Sequence, residues 1–86
     1  MKNETEWQTH IAKQNAADAL ANARGTLIRA LQELDSYIEK FSTADSPTRK
    51  AEVLNWTLNH LATGITPNLR LDLIANAQAE FTRLAK

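Results

Sequence analysis

The chain has no cysteine, so neither a disulfide nor a cysteine-ligated zinc site helps to hold its 86 residues together. At that length one core sits near the lower limit for stability without such staples, and a single domain over residues 1–86 is expected. Glycine and proline are scarce too, two of each. Gly25 and Gly64, 39 positions apart, cannot build a glycine-rich phosphate cradle. Long apolar runs are missing, and "MKNETEWQTH" has no apolar stretch behind its lysine. A chain with neither a membrane span nor a secretory signal is therefore expected, in a reducing, cytoplasmic setting. Excess charge of either sign is missing as well. Ten Lys/Arg balance ten Asp/Glu, which leaves no long-range field to draw the chain onto nucleic acid or an anionic membrane.

What is abundant is alanine, leucine, asparagine, glutamine and threonine, the composition of an all-α protein. The periodicity predicts a long N-terminal helix over about 4–41 packed with two shorter ones, about 47–63 and 67–85, in a three-helix bundle or one completed by dimerisation. In the long helix, Leu20, Leu27, Leu31, Leu34, Ile38 and Phe41 follow the a/d rhythm of a coiled-coil-like seam, with Arg24 in the one skipped place. A second stripe, Ala12, Ala16, Ala19 and Ala23, is flanked by Trp7 and Ile11. Small side chains at that spacing let another helix approach closely, although alanine also serves helix propensity alone. Gly25 costs a helix interior about 1 kcal/mol against alanine, and Thr26 after it has the chemistry of an N-cap. The leucine seam nonetheless passes the glycine in phase, which predicts one continuous helix. Some 37 residues would reach on the order of 55 Å, so its ends need cover from elsewhere in the chain or from another chain.

Ser46–Pro47 reads as N-cap and first helical residue of the second helix. A phosphate on Ser46 would sit favourably there, but the cap alone accounts for every residue of "SPTRK". The expected inward stripe of this helix is Ala51, Leu54, Leu58 and Leu61, with Val53, Trp56 and His60 along a flank. Gly64 is expected as the left-handed residue that ends it. Thr66–Pro67 repeats the cap-then-proline device, and Leu73, Ile74, Ala77, Phe81 and Leu84 are expected to face inward from the third helix.

The turn in "HLATGITPNLRLDL" resembles a DNA-reading helix-turn-helix in outline, which would set Asn68, Arg70 and Asp72 toward base edges. One arginine beside one aspartate in a neutral domain makes a poor phosphate reader, so a plain structural corner is the expectation. The nucleic-acid alternative rests on Arg49, Lys50, Asn68 and Arg70. His10 and His60 lie on different helices without metal-binding spacing. Glu33, Asp35, Glu39 and Tyr37 read as a solvated acidic strip, and Ser42, Ser46 and Thr48 have no triad partners at a suggestive spacing. The chain is thus expected to be no enzyme and to need no metal, cofactor or small-molecule substrate.

Trp7 and Trp56 are expected in the core, with anchoring on a binding face as the other reading; on a helical wheel Trp56 lies opposite the Leu54–Leu58 stripe. Every helix offers more than one apolar stripe. That surplus predicts a helical protein-interaction or adaptor module that self-associates, with Trp7, Ile11, Ala12, Ala16, Ala19, Ala23 and Trp56 as the candidate interface. A dimeric helix-turn-helix-like DNA-binding regulator is the alternative.

Overall fold

In the computed structural model, which describes residues 4–85, helix α1 runs unbroken over Glu4–Thr43. Helix α2 spans Pro47–His60, and a π-helical turn at Leu61–Ile65 and a 3-10 turn at Pro67–Leu69 lead to helix α3, Leu71–Leu84. No strand occurs among the described residues. The all-α architecture of one long helix and two shorter ones is thus as the periodicity implies. Contacts divide the chain into two compact units. One contains the chain up to Arg24 and from Arg70 onward; the other is Gly25–Leu69.

α1 continues through Gly25, where an added Cβ would meet nothing within 4 Å. No packing requirement therefore keeps position 25 small. The α2 cap forms as its residues dictate: Ser46 is extended and its hydroxyl accepts from the Arg49 backbone N–H at 3.1 Å, with Pro47 next.

The second boundary differs from expectation. No glycine has a positive φ, and the left-handed residue is Arg70, at φ 52° and ψ 57°. Gly64 lies inside the π turn, where a Cβ would come within 3.2 Å of His60 Nδ1. Its small size makes room for an imidazole. Nor does Thr66 act as an N-cap: it stays helical, and both its N–H and its hydroxyl donate to the Leu61 carbonyl at 2.9 Å. The chain therefore keeps winding through Pro67 until Arg70 breaks it, and α3 starts at Leu71. The Arg70 guanidinium is held by both Asp72 carboxylate oxygens, at 3.0 and 2.9 Å.

In the unit of α1 and α3, Ala12 and Ala19 are buried and Ala16 and Ala23 partly so. Ala12, Ala16 and Ala19 line grooves shared with Leu73, Ile74 and Ala77 of α3. The alanine stripe thus serves close approach within the chain itself.

In the Gly25–Leu69 unit, α1 continues the same rhythm inward with Thr26, Ala30, Glu33, Leu34 and Tyr37. α2 answers antiparallel. Lys50 Nζ donates to the Phe41 carbonyl at 2.9 Å, His60 meets Glu33, and the Thr26 hydroxyl donates to the Asn68 carbonyl at 3.1 Å. α2 turns Val53, 1% exposed, with Thr57 and His60 to α1, and not the Ala51–Leu54–Leu58–Leu61 stripe that its hydrophobicity favoured. In this rotation the Thr26 hydroxyl is buried with its hydrogen bond made, which avoids the cost of a buried unsatisfied polar group. The π turn then adds a residue to the winding. Ile65, which a regular helix would set beside Leu54 and Leu58, is buried instead.

The candidate interaction face

The rotation of α2 leaves its leucines outside. Leu54 and Leu58 are 56% and 66% exposed, and on α1 Leu27, Leu31 and Ile38 are 52%, 63% and 62% exposed. At about 100° per residue, the α1 leucines sit roughly 85° round the helix from its inward stripe, and those of α2 roughly 95° round from theirs, in the same rotational sense. In an antiparallel pair of helices, displacements of the same sense fall on the same side. The two rows therefore form one apolar side of the hairpin, with Leu34 and Leu61 partly buried along its floor.

No charged residue stands at the positions that make up this side, 27, 31, 34 and 38 of α1, 47, 51, 54 and 58 of α2, and 61 at the start of the π turn. The opposite side of the hairpin is polar, with Arg29, Lys40, Arg49 and Glu52. There Trp56, 40% exposed, lies under the Arg49 guanidinium at 4.8 Å, and Arg49 also pairs with Glu52 at 3.3 Å. Each half-exposed leucine or isoleucine leaves on the order of 100 Å² of apolar area in water.

The other candidates are distributed over both units. Trp7 is 64% exposed with its ring 5.9 Å from that of His10, and Ile11 lies nearby at the surface. Neither tryptophan occupies the core, contrary to expectation: Trp7 lies at the surface and Trp56 on the polar side of α2 under Arg49. Of the four residues of the nucleic-acid alternative, Arg49 is stacked and paired as above. Lys50 is bound to the Phe41 carbonyl with its ammonium 4.4 Å from the Phe41 ring, the Asn68 amide donates to the Gly64 carbonyl at 2.7 Å, and Arg70 is held by Asp72. Each cation or donor is thus turned to a local partner.

Glu33, Tyr37 and His60 converge within the hairpin: the Glu33 carboxylate meets His60 Nε2, Arg29 approaches Glu33 at 3.8 Å, and the Tyr37 ring lies 6.0 Å from the imidazole. Glu33 and Tyr37 therefore face α2, where a solvated acidic strip was expected. In the other unit, α1 and α3 border a groove of about 520 Å³ with Asn15, Asp18, Asn22, Asn76 and Glu80 on its walls. Arg83 donates to Glu80 at 2.6 Å and holds that carboxyl below the usual carboxylate range, as Arg70 does for Asp72. Among the described residues no helix is long and apolar enough to cross a membrane, and no group of three acidic, histidine or cysteine side chains is placed to hold a metal ion.

The open leucine face is not legible from the sequence alone, because the rhythm that marks a seam does not say whether the chain itself or another chain covers it. The signal for a surplus was present: two apolar stripes per helix, of which a pair of helices buries one. No protein-family profile, curated protein or solved structure matches the chain.

Proposed function

We propose that the chain is a non-enzymatic helical interaction module that docks helix to helix on protein through the apolar side of the Gly25–Leu69 hairpin. The observation that carries this reading is the charge-free row of Leu27, Leu31, Ile38, Leu54 and Leu58, each more than half exposed in one copy. A contiguous patch of this size is at the upper end of what a monomer exposes, and such patches are often functional. Covering roughly 500 Å² would contribute about 12 kcal/mol before association costs, at about 25 cal/mol per Å². That is comparable to the roughly 4–15 kcal/mol lost in translational and rotational freedom, so partner area added to it yields net binding.

The test uses the full chain at high dilution with 1-anilinonaphthalene-8-sulfonate, a dye that lights up on open apolar surface. The wild type should bind it, and a Leu31→Glu/Leu58→Glu double variant should lose most of the signal at unchanged helical circular dichroism. A folded chain that neither binds the dye nor associates at any concentration would remove the reading.

A further inference from the structure

Resting on that reading, we infer that the occupant of this face is a second copy of the same chain, docked two-fold and face to face, so that two α1–α2 hairpins complete a four-helix arrangement. Three observations point to this occupant. The first is rhythm. The residues of this side follow spacings of four, three and four on α1 (27, 31, 34, 38) and four and three on α2 and into the π turn (54, 58, 61). This is the knob spacing that neighbouring antiparallel helices of a bundle need, and both rows of one copy carry it, so each offers the other both knobs and holes. The second is charge. A two-fold contact sets every residue against the equivalent surface of its mate, so a charged face would meet its own sign. This side carries none, and the chain as a whole is neutral at ten against ten, so no net repulsion keeps copies apart. The third is area. The five open side chains with the partly exposed Leu34 and Leu61 and the small residues at the rim come to on the order of 600–700 Å² per copy. A pair would bury roughly 1,200–1,400 Å², which reaches the range of stable, specific interfaces.

Sedimentation equilibrium of the full chain from about 1 to 500 µM, with dye binding followed in the same dilution series, separates the outcomes. The expected species has twice the chain mass. Leu31→Glu and Leu58→Glu should each weaken it at least about a hundredfold at unchanged helicity, because every loss counts in both copies. Trp7→Glu, in the other unit, should change the dissociation constant less than about threefold. Should a glutamate variant unfold, Leu31→Ser and Leu58→Ser serve instead, with at least about a tenfold weakening expected. A chain that stays monomeric throughout yet binds dye overturns the second copy and leaves the docking reading standing. A monomer without dye binding removes both. A dimer indifferent to Leu31 and Leu58 but broken at Trp7, or a stoichiometry other than two, also overturns the proposal.

Discussion

Two glycines in one chain give opposite predictions for the same substitution. At Gly25 an added Cβ meets nothing within 4 Å, so alanine brings only its helix propensity, about 1 kcal/mol. At Gly64 the same gain is opposed by His60, whose Nδ1 and Cε1 would lie 3.2 and 3.3 Å from the new methyl. The ring must yield a few tenths of an ångström, with the Glu33 carboxylate against its Nε2 and the Tyr37 ring alongside. Displacing a ring with close neighbours on two sides outweighs the propensity gain, and a net loss of about 1 kcal/mol is expected, within the range of overpacking. For a chain of this size each kcal/mol moves the melting midpoint by roughly 4–8 °C. Urea and thermal unfolding followed by circular dichroism at fixed chain concentration should therefore place Gly25→Ala above the wild type and Gly64→Ala below it. In a His60→Ala background the clash is gone and Gly64→Ala should stabilise by about 1 kcal/mol, a coupling of about 2 kcal/mol between the two sites. If both glycine variants stabilise equally, or the cycle shows no coupling, the close approach of His60 is not what keeps position 64 small.

The rotation of α2 has a direct check. Val53→Ala should cost about 2 kcal/mol because that side chain is 1% exposed, whereas Leu54→Ala, measured where the chain is monomeric, should stay within about 0.5 kcal/mol. Removing the Ser46 cap by Ser46→Ala frees the Arg49 N–H it satisfies and should lower unfolding stability by about 1 kcal/mol in denaturant titration. The Asp72 and Glu80 carboxyls titrate below their ordinary values because Arg70 and Arg83 hydrogen-bond their charged forms. A folded-state value below the unfolded one means that their contribution is complete above the ordinary carboxylate range, near pH 4, and lost as the pH falls through the lowered values. Carboxyl resonances followed by NMR should show Arg70→Gln returning Asp72 toward its ordinary value, with Glu80 unmoved.

Local chemistry made much of this protein readable in advance. Helicity through Gly25 follows from residues that favour helix on both sides of it, and the α2 start at Ser46–Pro47 needs only the hydroxyl, the ring and an N–H three residues on. Such signals act within one turn, so they survive whatever the rest of the chain does. The second boundary misled because the Thr66–Pro67 signal was overridden by the continuing π and 3-10 winding, and because Arg70, stapled to Asp72, takes a left-handed conformation usually left to glycine.

Which faces turn inward was decided only in three dimensions. Periodicity counts apolar residues along one helix and therefore ranks the leucine rows first. The folded chain selects instead the alanines that allow close approach, together with the pairs Glu33–His60 and Thr26–Asn68, whose members are 27 and 42 positions apart. No local pattern couples residues that far apart, so neither their pairing nor the outward position of the α1 and α2 leucines that accompanies it can be read along a single helix.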